Sequence, residues 1–128
     1  MARLAELDEH VTFSELIEES AGPIVLINRF NANPEEAGQF IKAWQKDATY
    51  FKGRPGFISA QLHQGIGGSS LFINYAVWES TAVWESTALY KKALSKVNMK
   101  DLLSFYPLST VASPHIFRKV AVPGICVD

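Results

Sequence analysis

The spacing of apolar residues divides the chain into alternating and helical segments. Residues 24–30, Ile-Val-Leu-Ile-Asn-Arg-Phe, are a β-rich run bounded by Pro23 and the turn-like Asn31-Ala32-Asn33, which predicts a first strand. Asn33-Pro34-Glu35-Glu36 then has the marks of a helix start: an N-cap Asn, proline at the first helical position and acids in the first turn. Apolar positions recur at Ala37, Phe40, Ile41, Trp44, Ala48 and Phe51, the 3.6-residue period of a helix that stops before Gly53-Arg54-Pro55-Gly56. Residues 57–64 and 71–78 alternate with period two around the glycine-rich stretch 65–70, as in a hairpin. A second helix over about 82–97 puts Val83, Thr87, Tyr90, Leu94 and Val97 on one stripe. Residues 99–105 read as a short helical piece and residues 115–122 as a last strand. Upstream, Thr12 and Glu15 have capping-box spacing for a short helix from Phe13 to Ser20, which Gly22-Pro23 ends.

The order after the leader is therefore β-α-β-β-α-β, the ferredoxin-like α+β arrangement with a four-stranded antiparallel sheet and both helices on one face. The expected organisation is a leader with a short helix over residues 1–22, an α+β domain over 23–122 and a tail over 123–128. Ala76-Val77-Trp78-Glu79-Ser80-Thr81 is repeated at once as Ala82-Val83-Trp84-Glu85-Ser86-Thr87. A local duplication that lengthens the junction between strand and helix is the simplest reading of that repeat, and one introduced in cloning is the other.

Alternation also assigns faces. On residues 71–78 the series Leu71, Ile73, Tyr75 and Val77 is expected under the helices, which leaves Phe72, Asn74, Ala76 and Trp78 on the open face. On residues 57–64, Ile58, Ala60 and Leu62 face the helices and Phe57, Ser59, Gln61 and His63 face away. Asn28 and Phe30 are placed on the open face, and the last strand is mixed. An open face carrying Phe57, Phe72, Trp78 and Phe117 is a large apolar patch, and the usual way to cover it is a second sheet from a second copy. A homodimer closed as an α+β barrel is the expectation, with an aromatic-walled pocket where the two sheets meet.

Composition narrows the partners. In 128 residues, apolar types make 48% and charged types 20%, ordinary globular usage for one domain. A net charge of −1 without a basic stripe argues against nucleic acid. No run approaches the ~20 apolar residues of a membrane span, and the N-terminus lacks the apolar core of a signal peptide, so a cytoplasmic location is expected. The single Cys126 makes no internal disulfide, and no spacing suits a metal or a nucleotide phosphate.

The run from Pro23 to Phe30, then Arg54-Pro55-Gly56-Phe57, then Asn74-Tyr75-Ala76-Val77-Trp78-Glu79-Ser80, resembles the antibiotic biosynthesis monooxygenase (ABM) domain, over about residues 23–122. The resemblance implies a barrel-forming homodimer. Among the family are cofactor-independent oxygenases that act on polyphenolic or quinol-type molecules, with dioxygen as the second substrate. Others degrade haem, and some are isomerases. The haem branch takes an axial histidine from the helix after the third strand, and residues 82–97 contain none. No cofactor is expected. The preferred reading is a cofactor-independent monooxygenase acting on a small aromatic molecule. Its alternatives are a non-catalytic ligand-binding dimer or an isomerase of the same fold.

The resemblance makes Asn28 a candidate for orienting a substrate hydroxyl or dioxygen. Trp78 is a wall of an aromatic pocket, or else a core or interface residue. Asn74 shares its face and binds substrate or ties two subunits together. His63 is the candidate general base for a phenol, or a solvent-facing residue at the hairpin end; His115 is weighed in the same way. Phe30, Phe57, Phe72 and Phe117 complete the expected substrate walls.

Overall fold

The computed structural model of the protein describes residues 2–19, 22–79 and 86–126. Its strands are β1 (Arg3–Leu4), β2 (Ile24–Asn31), β3 (Phe57–Gln64), β4 (Leu71–Trp78) and β5 (Val111–Phe117). Its helices are α1 (Phe13–Leu16), α2 (Ala37–Lys52), α3 (Ser86–Ser95) and α4 (Met99–Ser104). The expected α+β ferredoxin-like arrangement is present, with five strands in the sheet among the described residues rather than four. The sheet order is β1-β5-β2-β4-β3, in which only the β1–β5 pair is parallel.

The capping box that starts α1 is formed: the Glu15 N–H donates to Thr12 Oγ1 at 3.2 Å while the Thr12 N–H donates to Glu15 Oε1 at 3.4 Å. That helix ends at Leu16 rather than Ser20. Asn33 does not cap α2 with its side chain. A 3-10 turn, Pro34–Glu36, leads into the helix instead, and the Asn33 N–H is satisfied by Ser109 Oγ at 3.0 Å. The last strand begins at Val111 and ends at Phe117, earlier than expected. The start expected for the second helix, and Trp84 with most of the repeated hexapeptide, lie outside the described residues.

Register decides which faces are covered, and it reverses the expectation for β4. Leu62 pairs with Asn74 and Ala60 with Ala76, so Phe72, Asn74, Ala76 and Trp78 share the helix side with Ala60 and Leu62. Phe72, Ala76 and Trp78 are buried there. A bulge between Phe57 and Ser59 turns Phe57 to that side as well, where its ring meets Trp78 edge-on at 5.6 Å. The other series, Leu71, Ile73 and Tyr75, is about 40% exposed on the uncovered face. Both series are apolar, so alternation alone does not say which one the helices cover.

Two clusters build the core under the helices. At one end Phe40 of α2 stacks on Phe72 at 4.2 Å and meets Phe30 edge-on at 4.9 Å, with Tyr106 beside them. At the other end Trp78 packs against Tyr90 of α3 at 5.3 Å, together with Ile24, Leu26 and Ala76. Between the clusters the apolar rows of β2 and β4 are interrupted at the same level, because Asn28 and Asn74 are register partners.

Candidate functional site

A cavity of about 90 Å³ opens at that interruption, between sheet and helices. Leu26, Phe30, Phe51, Phe57 and Trp78 supply apolar wall, and Leu4 and Phe13 of the N-terminal leader close one side. Asn28, Asn74, Trp78 and Asp47 line the same cavity, and each has a buried polar atom without a hydrogen-bond partner: Oδ1 of Asn28, Asn74 and Asp47, and Nε1 of Trp78. Among the described residues these are four of seven such atoms. A buried polar group left unpaired costs about 1–3 kcal/mol, so four on one cavity single it out as the candidate site for a polar-edged ligand.

Asp47 is absent from the expected site. It lies on α2, where its Oδ2 accepts the Tyr106 hydroxyl at 3.1 Å and its Oδ1 stays free. Burial raises its pKa to about 6, and the Tyr106 hydrogen bond opposes part of that rise. Burial pushes Tyr90 and Tyr106 well above the ordinary phenol range, and the Asp47 charge adds to both shifts. No Lys, Arg or His lines the cavity among the described residues. The sequence does carry a sign of Asp47: Phe40, Trp44, Asp47 and Phe51 follow the 4-3-4 spacing of one helical stripe, so position 47 points inward with its apolar neighbours.

Of the nine residues expected at the site, Asn28, Phe30, Phe57, Asn74 and Trp78 line this one cavity. They do so from the helix side of the sheet, not from its open face. Phe72 lies deeper, stacked behind Phe40. His63, His115 and Phe117 are on the opposite face. His63 pairs with Ile73 and is exposed. His115 is 8% exposed, with Nε2 at 4.0 Å from Asp8 Oδ2 and the Phe117 ring edge-on at 5.1 Å. Neither histidine reaches the cavity, because each is odd in register to the residues that do: Ala112 and Pro114 line it, and His115 alternates away.

The model of the antibiotic biosynthesis monooxygenase family matches residues 23–96, more than half of the chain. The chain belongs to this family. A candidate monooxygenase from Shewanella loihica PV-4 superposes with a TM-score of 0.63 at 26% identity, over 81% of this chain and 100% of that one. SnoaB, a cofactor-independent oxygenase from Streptomyces nogalater, gives 0.64 at 18% identity over 81% and 99%. A haem-degrading protein from Mycobacterium tuberculosis gives 0.56 at 19% over 80% and 100%. The latter two share the fold with this ABM chain. A comparison with curated protein sequences gives no significant match.

Proposed function

We propose that this ABM protein is a cofactor-independent monooxygenase that oxidises a small phenolic or quinol-type molecule in the cavity between sheet and helices. One observation carries the reading: two facing amides, an indole N–H and a carboxylate oxygen, all buried and unpaired, converge on an aromatic-walled cavity. The family match and the fold of SnoaB support the class of reaction.

The chemistry runs through the substrate. Loss of the phenolic proton makes an electron-rich anion. That anion gives one electron to dioxygen, and recombination of the two radicals forms a carbon–oxygen bond. The resulting peroxide is protonated and loses water to leave a quinone. For 1-naphthol the balance is one dioxygen consumed and one 1,4-naphthoquinone and one water formed. Asn28 and Asn74 orient the hydroxyl and the peroxide, Trp78 and Phe57 hold the ring plane, and the apolar walls limit water around the radical pair.

The protein acts as a homodimer whose interface is the open face. Leu71, Ile73, Tyr75 and Phe117 are all 37–40% exposed there, an apolar sheet surface of the kind a second sheet covers. Haem degradation lacks this support, because no histidine lines the cavity among the described residues.

The test is an oxygen electrode read together with quinone absorbance, using 1-naphthol and dihydroxynaphthalenes. Equal amounts of dioxygen consumed and quinone formed, with loss of the reaction in Asn28→Leu, is the expected result. Binding of naphthols without oxygen uptake would leave a ligand-binding dimer in its place.

A further inference from the structure

The expected general bases, His63 and His115, sit on the wrong face of the sheet, yet the proposed reaction begins with a proton leaving a phenol. Among the described residues that line the cavity, one carboxylate is placed to take it. Asp47 Oδ1 is buried in the lining with no partner, and Oδ2 is held by the Tyr106 hydroxyl at 3.1 Å. The hydrogen bond fixes the carboxylate plane and occupies one oxygen, which leaves the other for a ligand.

We propose that Asp47 is the proton acceptor for the hydroxyl of the phenolic molecule bound in this cavity, with Tyr106 positioning its carboxylate. This rests on the aromatic-pocket reading above. In the step the phenolic O–H bond breaks and an Oδ1–H bond forms on Asp47. The electron pair stays on the phenolic oxygen, and no redox change occurs. The same proton returns to the peroxide formed later, so the carboxylate is regenerated within one turnover.

The surroundings suit the role. Tyr106, after α4, and Tyr90, on α3, are the other titratable groups lining the cavity among the described residues, and both stay neutral because burial raises their pKa values. Asn28 and Asn74 from the sheet and Trp78 from β4 are uncharged. Among the described lining residues no cation holds the Asp47 carboxylate ionised at low pH, and its pKa of about 6 lies near the working range of a general base. Tyr106 donates to the carboxylate and so favours its charged form.

Two measurements on the wild type and Asp47→Asn test this. The substitution is nearly isosteric and can still accept the Tyr106 hydrogen bond. The first measurement is binding of 4-nitrophenol at a pH below and a pH above its own ionisation, which needs no turnover. A wild-type carboxylate at the ligand hydroxyl repels the phenolate, so Asp47→Asn is expected to raise the phenolate-to-phenol affinity ratio by about tenfold or more. An unchanged ratio, with both forms bound, overturns the assignment while leaving the aromatic pocket intact. Absence of nitrophenol binding in the wild type overturns the pocket reading and the base with it. The second is oxygen uptake with 1-naphthol against pH. Wild-type kcat/KM should rise through about pH 6, and Asp47→Asn should lose that limb and on the order of 10²–10⁴ in kcat. The deficit should shrink with naphthols of lower pKa, which ionise without help. A retained acidic limb in Asp47→Asn, or an equal deficit for every naphthol, places the base elsewhere.

Discussion

A buried carboxylate without a cation beside it should weaken the fold as it ionises. Asp47 titrates at about 6 in the folded chain against 3.8 for the ordinary group. At about 1.4 kcal/mol per pKa unit, that difference of about 2.2 units corresponds to about 3 kcal/mol. The sign follows from which state binds the proton more tightly. Below about pH 4 the carboxyl is protonated whether the chain is folded or not, and it contributes no difference. Between about pH 4 and pH 6 the unfolded chain has released the proton and the folded chain has not, so wild-type stability falls as pH rises. Above about pH 6 both are ionised and the full cost is present. Asp47→Asn carries no charge to bury. Urea unfolding of the two proteins at equal concentration should give equal stability near pH 4, and a gap of about 2–3 kcal/mol in favour of Asp47→Asn by pH 7. Contributions from the other carboxylates are common to both proteins and cancel in the difference. A gap that does not change with pH, or an Asp47→Asn protein less stable at pH 7, would refute the description of Asp47 as a buried, uncompensated acid.

Asn74→Leu removes an unpaired buried amide oxygen, so it should leave thermal stability equal or higher while weakening 1-naphthol binding by about tenfold; calorimetry read beside a fluorescence titration checks both. Ile73→Glu puts charge into the exposed apolar face, and sedimentation should change from about twice 14.2 kDa to a single copy of that mass, whereas a monomeric wild type would sink the barrel. Haem titration should give no Soret band typical of stoichiometric histidine ligation, since the cavity offers no histidine among the described residues. A band of that kind in the wild type that disappears in His63→Ala or His115→Ala would show haem bound on the open face and overturn the expectation.

Much of the fold is legible in the sequence because its elements are periodic and long. The hairpin strands occupy residues 57–64 and 71–78 as expected, and α2 fills the stretch of 3.6-residue spacing. The parts that periodicity misses are short or unusual. Arg3–Leu4 is too brief for any period to be read, and it owes its strand to the edge of β5. Pro114 has the look of a boundary but sits inside β5, opposite Asn28. β1 pairs only with Val111 and Ala112, so the outer side of β5 is free at Pro114, and a missing N–H costs nothing there. The faces of β4 are opposite to those expected from alternation because both are apolar, one for the core and one exposed on the uncovered face. Only the pairing with Ala60 and Leu62 separates them.

The site shows a more general limit and a way past it. Intrinsic pKa favours histidines as bases, yet His63 and His115 lie on the face of the sheet away from the cavity. Asp47 draws no notice by type, because a charged residue in a helix usually faces solvent. Three polar residues of the cavity nonetheless share one signature in the sequence. Asn28 stands between Leu26 and Phe30, Asn74 between Phe72 and Ala76, and Asp47 between Trp44 and Phe51, each at the point where strand or helix period calls for an apolar side chain. A core built for stability alone would fill those positions with leucine or valine and gain about 1–3 kcal/mol at each by leaving no polar atom unpaired. Three such interruptions on three elements, brought by the fold to one cavity and joined by the Trp78 N–H, are hard to account for as packing. On the proposed reading, a polar residue on an apolar stripe points to the site better than a residue chosen for its chemistry, because it marks where stability has been given up.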